Sequence, residues 1–344
     1  MKRKIGILTA GGDCPGLNAA IRGVAKTAIV EYNMEVFGFK GGFKGLIDAD
    51  YIPLPEEKVS GILTLGGTIL GTSREKPFKK NHPFDDDPEY KMKCINTTID
   101  SLGLDCVVCI GGNGTMKNAY QLSQVGVPVI GVPKTIDNDV WGTDATFGFD
   151  SAVEICTDAI DRLHTTANSH NRIMVIEVMG HDAGWIALHS GLAGGGDVIL
   201  IPEIEYDINV VCKYLLKRNA ADKPVSIVVV AEGIKSGKKR SPGPYIAKKI
   251  QEYTGLETRE TVLGYIQRGG TPSSTDRILA TRYGRFAAEL IAQKKYNVMV
   301  ALNNNIIGSI PLSETAGKVN LVGADCRLIK TAQSLGVCFG NSCE

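Results

Sequence analysis

The sequence predicts an α/β fold, with mainly parallel sheets covered by helices and more than one domain. Three observations carry this. Short apolar, β-branched runs alternate with Gly-rich or acidic loops and then with helical patterns. Several of the runs hold few polar positions, as strands buried on both faces require. The chain has 344 residues, more than one ordinary domain of roughly 100–200 residues.

Taken in order, residues 4–9 read as a strand, 10–16 as a loop and 17–30 as a helix. The pattern repeats as a strand over 105–110, a Gly-rich loop at 111–115 and a helix over 116–123. Residues 127–132 form a strand that ends in Pro133-Lys134-Thr135-Ile136-Asp137-Asn138-Asp139. Next come a strand over 172–178, a loop over 179–184 and a helix over 185–192. Residues 198–201 and 226–231 are further β-branched strands. In such folds ligands collect beyond the carboxyl ends of strands, where these loops lie. Residues 73–92, with Lys79-Lys80 and Asp85-Asp86-Asp87, read as a solvated surface excursion.

Composition narrows the function classes. A net charge of +1 gives no electrostatic footprint for nucleic acid or a membrane surface. No stretch approaches the ~20 apolar residues that span a bilayer. The apolar run after Met1-Lys2-Arg3-Lys4 is too short for a secretory signal. The nine cysteines are odd in number and lack framework spacing, which predicts a reducing, cytoplasmic setting. Cys106 and Cys109 form a C-x-x-C inside an apolar strand, where residues three apart face opposite sides; they read as buried thiols.

The loops carry the chemistry. Gly11-Gly12-Asp13-Cys14-Pro15-Gly16-Leu17-Asn18 joins a strand to a helix. Its glycines let N–H groups turn toward an anion at a helix N-terminus, or else make a tight structural turn. Gly111-Gly112-Asn113-Gly114-Thr115 occupies the same slot. The stretch from Pro133 to Asp139 combines a cation, a hydroxyl and two carboxylates. One carboxylate there can take a proton from an attacking hydroxyl while Lys134 offsets phosphate charge, and a second can hold Mg²⁺ through water. The plain alternative is a turn with an N-cap. Arg259 and the run Tyr265-Ile266-Gln267-Arg268-Gly269-Gly270 read as a phosphate clamp. Among hydrolase and zinc signatures, H-E-x-x-H and G-x-S-x-G are absent.

Seven motifs in order now give a family. Gly11 to Asn18, Gly111 to Thr115, Pro133 to Asp139, Ser169-His170-Asn171-Arg172, Glu177-Val178-Met179-Gly180, Ala231-Glu232-Gly233 and Val262 to Gly270 resemble those of the 6-phosphofructokinases over nearly the whole chain. The resemblance implies two similar three-layer α/β lobes with the active site in the cleft between them. The larger, donor-binding lobe would take residues 1–148 and about 267–320, and the smaller, sugar-binding lobe 149–266 and about 321–344. It implies phosphoryl transfer to the 1-hydroxyl of fructose 6-phosphate, with Mg²⁺ and either ATP or pyrophosphate as donor.

Carried residue by residue, Asp137 is the implied general base, with Lys134 and Thr135 as catalytic neighbours. Gly12, Arg74, Glu75, Gly112, Asn113, Gly114 and Thr115 match the donor site. Thr135, Ile136, Asp137, Asp139, Arg172, Met179, Gly180, His181, Glu232, Arg259, Tyr265, Ile266, Gln267 and Arg268 match the sugar-phosphate site. Asn113, and Asp137 or Asp139 through water, are the implied metal contacts. In the family the counterpart of Arg172 comes from a neighbouring subunit, which implies a homodimer or homotetramer with a shared site.

The departures point to a branch. Asn113 stands where the usual member has Asp, His181 where many have Arg, and Tyr265 where His is frequent. Lys134 resembles pyrophosphate-using and mixed members, whereas Gly114 resembles ATP users. The chain is therefore similar to the mixed-substrate (group III) branch. The expected activity is ATP-dependent, with a pyrophosphate-dependent enzyme as the alternative. A non-catalytic metabolite-binding regulatory subunit is disfavoured by the presence of Asp137, Arg172 and Arg268. A dinucleotide oxidoreductase is disfavoured by the lack of G-x-G-x-x-G. Where regulated relatives carry a basic Gly-Lys-Lys stretch, this chain reads Asn219-Ala220-Ala221-Asp222-Lys223-Pro224-Val225, which implies weak control by ADP or phosphoenolpyruvate.

Overall fold

The computed structural model describes residues 2–80, 86–236 and 241–342. In chain order the elements are β1 (Lys4–Ala10), α1 (Leu17–Val30), β2 (Glu35–Phe39), α2 (Phe43–Asp48), β3 (Tyr51–Pro53), α3 (Pro88–Leu102), β4 (Cys106–Gly111), α4 (Asn113–Gln124), β5 (Val129–Pro133), α5 (Phe149–His170), β6 (Ile173–Val178), α6 (Trp185–Ala193), β7 (Val198–Leu200), α7 (Ile208–Ala220), β8 (Ser226–Ala231), α8 (Pro242–Thr254), β9 (Thr258–Val262), α9 (Ser274–Ala292), β10 (Val298–Asn303), β11 (Ile306–Pro311), α10 (Leu312–Thr315) and α11 (Arg327–Ser334). They form two compact units. One comprises Met1–Thr135, Asp139–Asp150 and Arg268–Asn320; the other comprises Ile136–Asn138, Ser151–Gln267 and Leu321–Glu344.

The first unit holds a seven-stranded sheet in the order β11-β10-β5-β4-β1-β2-β3. Its central strands are parallel, and β4 and β5 are buried along their whole length. That burial explains their continuous apolar runs. Leu8, Phe39, Val107, Met116, Leu122 and Val129 belong to one core cluster over this sheet. The edges differ from the expected parallel pattern: β3 pairs antiparallel with β2, and β11 antiparallel with β10. β11 returns from β10 directly through Asn304-Asn305, as an antiparallel pair can, whereas β3 returns beside β2 only after the segment that carries α2. The second unit holds a four-stranded sheet, β7-β8-β6-β9, parallel throughout.

Three readings need correction. The loop expected at 111–115 is mostly helix, because α4 starts at Asn113 on an extended Gly112. Glycine content suggested a loop, but docking of the first turn overrides propensity: Thr115 is buried and its hydroxyl donates to the Ala10 carbonyl at 3.3 Å. The excursion at 73–92 is not solvated throughout. Asp87 caps α3 by accepting from Glu89 N at 3.0 Å, and Lys91 on that helix is buried with its ammonium 2.6 Å from Glu75. Asp85 lies outside the described residues. Among the described cysteines, seven are free thiols but Cys338 is disulfide-bonded, and Cys343 lies outside the described residues. Cys106 and Cys109 are buried thiols, and burial pushes Cys109 up to about 12.

Candidate active site

Sheet register places the loops of the first unit. Ala10 of β1 pairs with Gly111 of β4, and Gly111 pairs with Pro133 of β5. Three parallel strands thus end at one level, and Gly12, Gly112 and Lys134 follow them there. Lys134 is buried, and its ammonium donates to the Gly12 carbonyl. An ammonium has three N–H donors, so this bond leaves others for an incoming anion. The Thr135 carbonyl accepts from Thr146 Oγ1 at 2.8 Å, which pins the strand's extension. Gly11 N donates to Ser73 O at 2.9 Å, bringing the segment of exposed Arg74 and of Glu75 beside the same loop.

Gly12 lies under a close approach. A Cβ there would stand 2.8 Å from Arg268 Nη1, so a side chain at this position would push the guanidinium off the loop. A Cβ at Gly114, by contrast, would meet open space. No side chain caps the start of α4. The N–H groups of its first turn are therefore a ready anion site. The Asn113 amide is engaged by Asp139. Its Nδ2 donates to Asp139 at both Oδ2, 2.8 Å, and the backbone O, 3.1 Å. Between Asp137 and Asp139, Asn138 has φ 51°, a left-handed turn that Asn tolerates well. Ile136 is buried, whereas Asp137 and Asp139 are each half-buried.

The second unit repeats the device. Val178 of β6 pairs with Ala231 of β8, and Glu177 pairs with Val262 of β9. Met179, Glu232 and the turn from Gly264 to Arg268 follow those strand ends. Glu232 Oε1 accepts from His181 N at 2.9 Å and Gly180 N at 3.3 Å, so this carboxylate shapes the loop after β6. Gly180 has φ 144°, and a Cβ there would be 2.4 Å from Ala183 O. The His181 ring is exposed, 3.0 Å from Asp182. Tyr265 and Ile266 are exposed on their turn. Gln267 points the other way. It is wholly buried, with Oε1 accepting from Met179 N at 3.0 Å and from Cys156 Sγ at 3.0 Å, and Nε2 donating to Gly264 O at 2.9 Å. The amide therefore braces the loops that carry Met179 and Tyr265.

One residue escaped the sequence reading. Glu257 Oε1 lies 2.8 Å from Arg172 Nη2 and 2.7 Å from Arg259 Nη2. The hydrogen bond from Arg172, opposed by the carboxylate's own desolvation, and then the charges of Arg172, Arg259 and His170 hold its carboxyl below the usual carboxylate range. Arg259 Nη1 also donates to Thr258 O at 3.0 Å. The signal was present in the sequence: residues two apart in extended chain share a face, and Glu257 precedes Arg259 by two.

Among the described residues, no three His, Cys, Asp or Glu side chains gather as a metal cage, and no helix is long and apolar enough to cross a membrane.

Comparison with known proteins gives this architecture its relatives. The phosphofructokinase family model matches residues 4–291. An "ATP-dependent 6-phosphofructokinase 3" of Bacteroides thetaiotaomicron is 58% identical, over 98% of this chain and 100% of the relative. A "Pyrophosphate--fructose 6-phosphate 1-phosphotransferase" of Streptomyces coelicolor is 45% identical, over 98% of this chain and 100% of the relative. The solved phosphofructokinase of Saccharomyces cerevisiae superposes with a TM-score of 0.82 at 31% identity, over 91% of this chain and 45% of that longer one. With the family model spanning residues 4–291 and identity running the length of its bacterial relatives, the chain belongs to the phosphofructokinase family.

Proposed function

We propose that the protein transfers the γ-phosphoryl group of ATP to the 1-hydroxyl of fructose 6-phosphate, giving fructose 1,6-bisphosphate and ADP. The observation that carries this is the 58% identity to an ATP-dependent 6-phosphofructokinase over 98% of the chain. Local geometry supports ATP: Gly114 opens onto free space where a longer polyphosphate and its nucleoside need room. The uncapped start of α4 offers N–H groups to the donor phosphates.

Asp137 is the base that receives the sugar hydroxyl proton. Lys134, placed beside Gly12, lowers the cost of charge on the transferring group. Arg172, Arg259 and Arg268 hold the 6-phosphate with Tyr265, while Glu232 and the Met179–Gly180 backbone hold sugar hydroxyls. Gln267 braces that loop from inside. Mg²⁺ fits the residues present as a metal brought in on donor phosphates, because no protein cage exists among the described residues. Asp137 or Asp139 would hold it through water, as is usual for this ion. When bound it neutralises charge on the donor phosphates.

Lys134 supports a second reading, in which pyrophosphate is the donor, and is consistent with membership of the mixed-substrate branch. The relation of Arg172 to a neighbouring subunit in the family supports a homodimer or homotetramer with a shared site. Among the described cysteines, the seven free thiols support a cytoplasmic location, and the disulfide at Cys338 stands as the exception. The test is direct: incubation with fructose 6-phosphate, ATP and Mg²⁺, followed by ³¹P NMR. Appearance of the 1-phosphate resonance, lost in Asp137→Asn, is the expected result. No bisphosphate with either donor would refute the assignment.

A further inference from the structure

The arginine pair at Glu257 extends this reading. Arg172 enters from the start of β6 and Arg259 from β9, which are hydrogen-bonded neighbours. Both guanidiniums meet one carboxylate oxygen. Among the described residues, the Arg172 side chain makes no other hydrogen bond, and its Nε is buried without a partner. Two cations placed this close repel each other unless an anion sits between them. Glu257 supplies that anion at little cost in donors. A guanidinium has five N–H groups, and the carboxylate engages only an Nη2 of each. The charged groups that face it are Arg172, Arg259 and His170.

We infer that Glu257 is a positioning residue for the sugar-phosphate site: it gathers Arg172 and Arg259 onto one oxygen so that their remaining N–H groups meet a phosphate dianion as a preformed pair. The inference rests on the assignment of those arginines to the 6-phosphate. Glu257 itself touches no substrate. It holds the two guanidiniums as one organised receptor, which lowers the ordering cost of binding. The pair keeps a net positive charge, and a phosphate dianion can then add to it without displacing the carboxylate.

The test uses Glu257→Gln, which keeps the shape and removes the charge, together with Glu257→Asp, which keeps the charge on a shorter arm. Loss of charge-assisted bonds should raise KM for fructose 6-phosphate roughly ten-fold in Glu257→Gln. KM for ATP and the melting temperature should stay near the parent values, and Glu257→Asp should fall between. In an Arg172→Ala/Arg259→Ala background, adding Glu257→Gln should change KM no further, because the residue acts through those arginines. An unchanged or lower KM in Glu257→Gln, or an equal further loss in the double-alanine background, would overturn the inference. A raised KM in the double-alanine protein with no effect of Glu257→Gln defeats this inference alone. No effect of removing the arginines defeats their phosphate assignment as well.

Discussion

Asp137 follows buried Ile136 and precedes Asn138, whose left-handed backbone turns the chain sharply. In its proposed role as base, Asp137 should be sensitive to chemistry rather than to packing. Asp137→Asn should lower kcat by at least ~10² while KM for fructose 6-phosphate stays within several-fold, as steady-state kinetics would show. Gly114 makes the complementary case for the donor. Because a side chain there meets open space, Gly114→Asp should fold normally, with the added charge tolerated at a helix start. Against a donor phosphate, like charges ~4 Å apart cost about 1 kcal/mol in water and about 4 at an effective dielectric of 20. KM for ATP should therefore rise at least roughly five-fold. The motifs around both residues were legible because their residue types are unusual at strand ends. Glu257 carried only its two-residue spacing from Arg259; the approach of Arg172, which makes the pair, shows in the fold alone.

Elements were legible where one pattern dominated. The apolar runs of β4 and β8 and the helix at 17–30 stand out because tertiary burial and local pattern agree there. The start of α4 was misread because Gly112-Asn113-Gly114 carries loop chemistry, and only contact of Thr115 with β1 shows why it winds. The start of α8 depends on a buried carboxylate: Glu177 accepts from Ser241 Oγ and from Gly243 N at 2.7 Å. Glu177→Ala should destabilise the fold by roughly 2–3 kcal/mol in urea unfolding, as loss of bonds to a charged acceptor does. On α6, burial lowers His189 below its ordinary 6.5. The unfolded chain then takes up a proton that the folded chain refuses. Stability is full above the unfolded value and falls as pH drops through it toward the folded one. His189→Gln should flatten the melting temperature profile between about pH 7 and 5, where an ordinary His titrates.

At the scale of the whole molecule, shared sites and effector control become testable. If Arg172 serves a neighbouring subunit, mixing Arg172→Ala with Asp137→Asn protein should restore activity once subunits exchange. No recovery despite demonstrated exchange would count against sharing. The second unit has a cavity of 370 Å³ lined in part by His164, Asp197, Arg218 and Lys223. Its Arg218 is already 2.7 Å from Asp197 and 3.0 Å from Ser226 Oγ, so little of that cation is left for an anionic effector. Sugar saturation should be hyperbolic and indifferent to ADP and phosphoenolpyruvate; sigmoidal curves relieved by ADP would oppose this. The α/β class was readable from alternating runs, but the antiparallel edges β3 and β11 were not, because β3 is short and β11 has no buried residue, so neither carries a buried apolar run.

The central claim concerns the phosphoryl donor, and one measurement tests it most directly: kcat/KM for ATP and for pyrophosphate, side by side, at saturating fructose 6-phosphate and Mg²⁺. The open space at Gly114 and the identity to an ATP-dependent relative predict that ATP wins by at least about ten-fold, a difference of about 1.4 kcal/mol. Pyrophosphate winning by that margin would contradict the account and make Lys134 the residue that sets the donor.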